Sequence, residues 1–419
     1  MQVSLFKLRD NSSLLVIPLL YSQSVTTMAL INAGPFYDPV GKEGLSHFIE
    51  HMFFKGSKKF PDSEKLTASL ERKGASAQAF TYYQTNKYWI KSTSSDIELV
   101  TENITDRLYN SLFRAEDIET EKGVVKEEIN ILKSNPERLI WEVWSETVWS
   151  GSSFGRSYLG NHAAINKFSR KDVLDFVRVH YKGDKIIFAV CGDVQADKIY
   201  EIFNNLVDPK RNITKDKLKV SKAKKTREDF NLVRLKTENI TVAIGFQTVN
   251  YIHKDRPVLE LIAKLLAGGM SSRLRKKVME PGLTYSIEGY SEHLTETGYF
   301  MIRFSTNKAS LNKIFKIIYD EFRDLKRNLI KQDELELAKN YFIGSLKVNT
   351  ETSYDFADWY ANTFFLGGRI LGLEDECRQI QKISSEDILR VAEEYFDFKK
   401  IKTAIVGDID KNFVKVLYN

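Results

Sequence analysis

The amino-acid sequence predicts an α+β protein of two homologous halves, each an antiparallel-rich mixed sheet packed with helices. Three observations lead to this prediction. The chain has 419 residues, which is too long for one ordinary hydrophobic core. Its 42% hydrophobic and 28% charged residues are typical of a globular protein. One pattern of helix and strand occurs twice at a constant offset, which indicates a duplication.

The duplication consists of a helix and a strand near the end of each half. Its first copy is "SRKDVLDFVRVHY" followed by "KIIFAVCGDV", and its second copy is "SSEDILRVAEEYF" followed by "KIKTAIVGDI". Ser169 and Ser384 share the same 215-residue offset as Gly192 and Gly407. Each copy predicts an N-capped helix, an apolar strand ending in Gly-Asp, and a final helix. The sequence therefore predicts halves 1–208 and 230–419, joined by a basic linker, 209–229.

Within each half, alternating strands come first and long helices follow. This order favours an antiparallel-rich sheet with helices packed on it. In the first half the predicted strands are 14–19, 24–34, 75–83 and 86–94, and the predicted helices are 96–113 and 115–147. In the second half the predicted strands are 239–249, 284–292 and 298–307, and the predicted helices are 309–325, 331–350 and 353–366.

Composition excludes several function classes. No segment approaches the roughly 18–20 apolar residues of a membrane span, and the N-terminus lacks the pattern of a signal peptide. Cys191 and Cys377 are far apart and outside any metal or redox spacing, so we expect buried thiols in a reducing, cytoplasmic setting. The net charge of +6 comes largely from residues 208–230. Since no stacking aromatics accompany this run, we expect a solvated linker and no nucleic-acid partner.

The stretch "GLSHFIEHMFFKG" carries the strongest chemical signal. Its apolar residues recur with helical periodicity, so we expect a helix over 43–54 that stops before Gly56. His47 and His51 lie one turn apart on this helix, and Glu50 lies beside them. Chance would produce H-x-x-E-H only about 0.005 times in a chain of this composition. This spacing is that of the inverted zincin motif, and it predicts a Zn²⁺ site.

A zinc site needs a third protein ligand beyond two histidines. Glu121 and Glu128 lie seven residues apart on a predicted helix and hence on one face. One carboxylate of this pair could reach the metal while the other orients an imidazole. The spacing alone leaves open which of the two is the ligand.

These residues together resemble the M16 metallopeptidases. "INAGPFYDPVGKEG", "GGMSSRL", "GLTYSI" and the duplicated ending of each half resemble that family too. The resemblance implies one Zn²⁺ per chain on His47, His51 and Glu128, with Glu50 as general base and Glu121 orienting a ligand histidine. It also implies an endopeptidase that hydrolyses peptides or extended, unfolded segments inside a closed chamber.

At the same offset, His47 and His51 correspond to Ile262 and Leu266, so the second half is predicted to lack a metal site and, by the resemblance, to form a chamber wall. The family carries an arginine and a tyrosine there, seven residues apart, for substrate binding and oxyanion stabilisation. Tyr285 matches the tyrosine, but Val278 stands at the arginine position. Three explanations remain open. A shifted basic residue substitutes, another subunit supplies the pair, or activity is reduced. The nearby basic residues are Arg273, Arg275, Lys276 and Lys277.

The segment 75–89 resembles the edge strand on which the family's substrates add as a further strand, which places Ala79, Phe80 and Thr81 against the peptide. Long single-chain members of the family carry four α+β units, and this chain has two. We therefore expect a homodimer or a heterodimer with another M16-type subunit. The alternative is a non-catalytic peptide-binding or assembly subunit, which the complete H-x-x-E-H disfavours.

Overall fold

The computed structural model describes residues 2–211 and 229–410. Most of the predicted linker and the final helix predicted after Asp408 lie outside these residues. Spatial contacts divide the described chain into two compact units. Unit 1 contains residues 2–130, 156–211 and 350–370, and unit 2 contains 131–155, 229–349 and 371–410. Each unit therefore includes one segment from the sequence half that mainly builds the other.

Strands alternate with helices along both sequence halves. The strands are β1 (Ser4–Lys7), β2 (Ser13–Pro18), β3 (Ser24–Ile31), β4 (Ser76–Thr81), β5 (Asn86–Thr93), β6 (Ile186–Gly192), β7 (Phe230–Arg234), β8 (Ile240–Thr248), β9 (Ser286–His293), β10 (Gly298–Thr306) and β11 (Lys402–Gly407).

The α-helices of the first half are α1 (Leu45–Met52), α2 (Ser63–Glu71), α3 (Ile97–Asn110), α4 (Ala115–Ser134), α5 (Pro136–Val148), α6 (His162–Asn166), α7 (Arg170–His180) and α8 (Ala196–Leu206). Those of the second half are α9 (Arg256–Ala267), α10 (Leu311–Leu325), α11 (Gln332–Val348), α12 (Ser353–Gly367), α13 (Leu373–Gln381) and α14 (Ser385–Tyr395).

Five strands follow one order in both sheets, and the unit 1 sheet has β1 as an additional edge strand. In unit 1 the order is β1-β2-β6-β3-β5-β4, and in unit 2 it is β7-β11-β8-β10-β9. The pairs β2–β6 and β7–β11 are parallel, and the other pairs are antiparallel. The predicted fold class, α+β with antiparallel-rich mixed sheets, is therefore confirmed.

The capped helices of the duplication have the same local chemistry. Ser169 caps α7 and Ser384 caps α14, and each forms a capping box with the aspartate three residues later. A capping box satisfies two amide donors that the first helical turn leaves free. The apolar strands β6 and β11 follow these helices and pair near the centre of their sheets.

The two halves exchange one helix each. Helix α5 packs on β7, β8 and β11 of unit 2, and α12 packs on β2, β3 and β6 of unit 1. Ser353 of α12 hydrogen-bonds Ser24 and Thr26, while Asp358 pairs with Lys87. In unit 2, Glu137 of α5 accepts hydrogen bonds from side chains of β8 and β10. Each sheet therefore depends on a helix from the other half of the sequence.

The predicted helix 115–147 is two helices, α4 and α5. Pro136 lacks the amide hydrogen that a helix interior needs, and it occupies the first turn of α5. Asn135 caps that turn by accepting hydrogen bonds from the amides of Glu137 and Arg138. Across the described ranges, no helix is both long enough and apolar enough to cross a membrane.

Candidate active site

Helix α1 presents the histidine pair from a buried position in unit 1. Its first turn begins after Gly44, whose φ of +90° favours glycine. A Cβ atom at this position would lie 2.3 Å from the carbonyl oxygen of Leu159, so a larger residue would also clash. Phe48, Ile49 and Met52 are fully buried and fix the apolar side of the helix. The polar side is left to the histidines and Glu50.

Two buried side chains hold the start of α1. The Asp38 carboxylate accepts hydrogen bonds from the amides of Gly44, at 2.7 Å, and Ser46, at 2.9 Å. Burial raises the pKa of Asp38 to about 7, although these donors favour its ionised form. The side chain of Asn86 donates to the carbonyl of Ser46 at 2.8 Å and to the hydroxyl of Tyr181 at 3.0 Å. The backbone just before His47 is therefore fixed on both its amide and its carbonyl side.

His47, His51 and Glu128 converge at one point. The Nε2 atom of His47 lies 3.8 Å from Glu128 Oε2, and the Nε2 atom of His51 lies 3.6 Å from the same oxygen. The two imidazole ring centroids are 4.6 Å apart. Nitrogen and oxygen donors about 2.0–2.1 Å from one tetrahedral Zn²⁺ lie roughly 3.3 Å from each other. This donor set therefore fits a single zinc ion with little adjustment.

Glu121 fixes the orientation of His51. Its Oε1 atom lies 2.7 Å from His51 Nδ1, and its other oxygen pairs with Lys55. Burial raises the pKa of Glu121, but the hydrogen bonds from His51 and Lys55 outweigh burial and lower it overall. The ionised carboxylate requires a proton on Nδ1, so the lone pair of His51 lies on Nε2, toward Glu128. The structure thus separates the two carboxylates that the spacing left equivalent.

The pKa values of the two histidines are shifted in opposite directions. Burial, followed by the positive charge of a protonated His51, lowers the pKa of His47 to about 3. Burial also acts to lower the pKa of His51, but Glu121, Glu128 and Glu50 together raise it. His47 is therefore a neutral imidazole across the ordinary pH range, the form that binds a metal.

Glu50 lies on α1 between the two histidines, and the hydroxyl of Thr81 donates to its Oε2 atom. Burial raises the pKa of Glu50, while this hydrogen bond and the charge of His51 oppose the rise. A carboxylate with a raised pKa beside a metal site has the properties of a general base.

Strand β4 forms the outer edge of the unit 1 sheet. Ala79, Phe80 and Thr81 pair with Tyr88, Lys87 and Asn86 of β5, so their other side lacks a strand neighbour among the described residues. The Phe80 side chain is 52% exposed. Thr81 connects this edge directly to Glu50. The predicted substrate strand and the predicted base therefore lie side by side.

In unit 2, the structure places Tyr285 immediately before β9 with its side chain 98% exposed, whereas Val278 is fully buried in the apolar core. Arg273, one of the basic residues considered as a substitute for the missing arginine, is bound by Glu334, Asp324 and Glu321. Lys277 also pairs with Glu321. Arg273 and Lys277 are thus held by carboxylates within unit 2, and whether any of the four basic residues replaces the arginine stays a prediction.

Four residues of the site were missed by the sequence reasoning. Lys55 could have been found, because it lies only four residues after His51, just beyond the end of α1. Asp38 and Asn86 gave no spacing signal, since they reach α1 from a loop and from a strand. Tyr158 packs edge-on to His47 with ring centroids 6.1 Å apart. It also gave no spacing signal, because it is far from α1 along the chain.

Comparison with known proteins shows which family this chain belongs to. The profile of insulinase, peptidase family M16, matches residues 18–162, and the profile described as the peptidase M16 inactive domain matches residues 167–342. The chain belongs to the M16 peptidase family.

Particular relatives agree with this assignment. A protein of Rickettsia bellii called an uncharacterized zinc protease is 25% identical over 96% of both chains. The beta subunit of the mitochondrial-processing peptidase of Bos taurus is 25% identical over 91% of this chain and 79% of its own. The crystal structure of a protease from Helicobacter pylori matches with a TM-score of 0.89 at 22% identity, covering 97% of this chain and 99% of its own. That structural likeness supports the fold alone.

Proposed function

We propose that this chain is a zinc-dependent endopeptidase that hydrolyses peptides or extended, unfolded segments. One Zn²⁺ per chain would be held by His47, His51 and Glu128. The observation that carries the proposal is the convergence of these three donors beside Glu50, with Glu121 orienting the His51 ring. Non-catalytic use of the fold would not require this arrangement.

The chain's own residues account for the proton transfers. Zn²⁺ at this site supplies a Lewis acid that polarises a peptide carbonyl and favours ionisation of water. Glu50 accepts the proton of the attacking water and delivers it to the leaving amine. Thr81 holds the Glu50 carboxylate in place through its hydroxyl. By the family resemblance, Tyr285 donates its hydroxyl to the developing oxyanion.

The substrate is proposed to bind as an added strand beside β4. An extended peptide would form main-chain hydrogen bonds with Ala79, Phe80 and Thr81, a recognition mode that tolerates varied sequences. The exposed Phe80 ring gives that edge an apolar contact for one substrate side chain. Thr81 would then couple peptide binding to the position of Glu50.

We propose a dimer as the working form, in the cytoplasm, with the half 230–419 serving as a chamber wall for the half 1–208. The position of Val278 favours a partner that supplies the arginine. A heterodimer with a second M16-type chain would meet this need.

A peptidase assay with zinc analysis tests the proposal. Wild-type protein, Glu50→Gln and Glu127→Gln are compared on a quenched fluorescent peptide. Glu127 is exposed on α4 and serves as the matched control. We expect Glu50→Gln to retain about one zinc but to lose activity by about 10²–10⁴-fold, the usual contribution of a general base. Activity near the wild-type level in Glu50→Gln would contradict the role of Glu50.

The second candidate function is a non-catalytic peptide-binding subunit, which the buried Val278 favours. This candidate predicts a zinc-loaded wild-type protein that cleaves nothing, either alone or with a second M16 chain carrying both arginine and tyrosine. Cleavage that appears only with such a partner would support the heterodimeric peptidase instead.

A further inference from the structure

The two histidines of the proposed zinc site are held in different ways. The Nδ1 atom of His51 lies 2.7 Å from the Glu121 carboxylate, and this hydrogen bond fixes the ring. The Nδ1 atom of His47 is buried and has no hydrogen-bond partner among the residues that the structure describes. Rotation of a histidine ring about its Cβ–Cγ bond has broad minima, so a ring without a hydrogen bond is oriented only by its packing. The orientation of His47 therefore depends on what it contacts.

The rings of His51 and Tyr158 both pack against His47. The centroid of the His51 ring lies 4.6 Å from that of His47. The centroid of the Tyr158 ring lies 6.1 Å away, and the two ring planes are nearly perpendicular, at 86°. Perpendicular aromatic pairs with centroids roughly 4.5–7 Å apart attract each other. Since His51 lies on the same helix as His47, Tyr158 is the contact that comes from outside α1.

The loop that carries Tyr158 is fixed to the start of α1. The Arg156 guanidinium donates to the backbone carbonyl of Asp38 at 2.6 Å, and the carboxylate of the same aspartate accepts from the first amides of α1. The backbone of Gly160 also lies directly against that of Glu43, because a Cβ atom on Gly160 would stand 1.9 Å from the Glu43 carbonyl oxygen. The half-buried Tyr158 ring is thus held on a backbone that is bound to the metal-bearing helix.

We propose that Tyr158 is a positioning residue that holds the His47 imidazole in the orientation in which it ligates zinc. It does by ring packing what Glu121 does for His51 by a hydrogen bond. The role rests on the proposed zinc site, since it concerns one of the donors of that site. It requires the aromatic ring of Tyr158 and not the hydroxyl group. Phenylalanine is therefore expected to replace Tyr158, and an aliphatic residue is not.

Zinc affinity, measured on the apoprotein by competition with a fluorescent chelator, tests this role. Tyr158→Leu keeps apolar bulk but removes the aromatic ring. We expect it to lose about 2–10-fold in affinity, the range that corresponds to one aromatic pair. Tyr158→Phe should bind zinc as the wild type does. Tyr200→Leu is the matched control and should also keep the wild-type affinity, because Tyr200 is half-buried in unit 1 but stacks on the distant Phe6 ring.

The possible failures can be told apart. Wild-type affinity in Tyr158→Leu, or an equal loss in Tyr158→Phe, would overturn the positioning role while leaving the zinc site in place. Wild-type protein that binds no zinc would refute the proposed site and the positioning role together.

A double variant shows whether Tyr158 acts through His47 alone. Glu121→Gln affects His51, so its loss of affinity and the loss in Tyr158→Leu should multiply when the two changes are combined. A double variant that binds zinc as well as Glu121→Gln would contradict separate actions on the two histidines.

Crystals of the zinc-free protein give a readout that needs neither metal nor activity. The His47 ring should have one orientation in the wild type and in Tyr158→Phe, and more than one in Tyr158→Leu. A single, unchanged orientation of His47 in Tyr158→Leu would show that other contacts hold the ring and would overturn the inference.

Discussion

Helices α1 and α9 occupy equivalent places in the duplication, but their surroundings differ. In α1 the positions of His47, Glu50 and His51 face the carboxylates of α4. At the same offset, α9 carries Ile262, Leu265 and Leu266, all within the apolar core of unit 2. Helix α9 packs against α11, α13 and α14, which cover it. In unit 2 the equivalent side of the helix is thus used for apolar packing, whereas in unit 1 it is polar.

This difference indicates that the fold and the proposed metal site have separate requirements. Both sheets keep one order of five strands and one capped helix–strand ending, which apolar burial and helix capping maintain. The site needs additional polar support: Asp38 and Asn86 hold the start of α1, and Glu121 orients His51. Replacing a ligand should therefore remove chemistry with little effect on the fold, whereas removing an exchanged helix should disrupt the fold.

The largest expected effect comes from separating the two sequence halves. The fragment 1–208 lacks α12, so the apolar side chains of its sheet that pack on Ala357, Tyr360 and Ala361 would be exposed. We expect this fragment alone to show no cooperative thermal unfolding and to aggregate. Co-expression with the fragment 209–419 should restore a folded complex. A sharp unfolding transition in the isolated fragment would show that the helix exchange is dispensable.

The next effect comes from copying an α9 residue into α1. His51→Leu removes one proposed zinc donor and introduces the residue that α9 carries at the equivalent position. We expect loss of bound zinc, measured by metal analysis, and loss of peptidase activity below detection, with the fold retained by circular dichroism. The reverse change, Leu266→His, should acquire no zinc and should lower the free energy of unfolding by about 2–5 kcal/mol, because it buries an imidazole in an apolar core. Full zinc content in His51→Leu would place the metal elsewhere.

A smaller effect is expected at the supporting carboxylate. Glu121→Gln weakens the hydrogen bond that orients His51 while leaving the three donors in place. Zinc affinity should fall by about 10–100-fold, as is usual when such a partner of a ligand histidine is lost. Competition with a fluorescent chelator measures the affinity, and Glu127→Gln on the same helix is the control. An unchanged affinity in Glu121→Gln would limit Glu121 to a structural ion pair with Lys55.

The smallest expected effect is on how the free energy of unfolding changes with pH, and it comes from His180. The equivalent position in unit 2 is occupied by Tyr395, which carries no imidazole. Burial, with a contribution from Lys185, lowers the pKa of His180 to about 3. The unfolded chain takes up this proton near pH 6.5 and the folded chain does not, so stability is present above pH 6.5 and falls as the pH drops toward 3. His180→Gln should reduce the loss of unfolding free energy between pH 6.5 and pH 5 by at most roughly 2 kcal/mol.

Urea unfolding at the two pH values measures this difference. His162 is exposed, so His162→Gln should leave the pH dependence unchanged. Identical pH dependence in His180→Gln and the wild type would show that His180 is already free to take up a proton in the folded state.

The sequence was most informative where the determining interactions are local. The spacing of His47, Glu50 and His51 places them on one helical turn whatever the tertiary structure, and strand alternation located the central strands. The overlooked break at Pro136 was also local, and it should have ended the predicted helix. By contrast, the exchange of α5 and α12 depends on which sheet each helix packs on. The choice between Glu121 and Glu128 and the support from Asp38 both depend on residues distant along the chain.

The central claim is that zinc binds in unit 1 at His47, His51 and Glu128 and has no corresponding site on α9. Anomalous diffraction collected on both sides of the zinc absorption edge tests it directly on crystals of purified, zinc-loaded protein. The account predicts one zinc peak per chain, within bonding distance of both Nε2 atoms and of Glu128. A peak ligated by other residues, or the absence of any peak at these three donors, would contradict it.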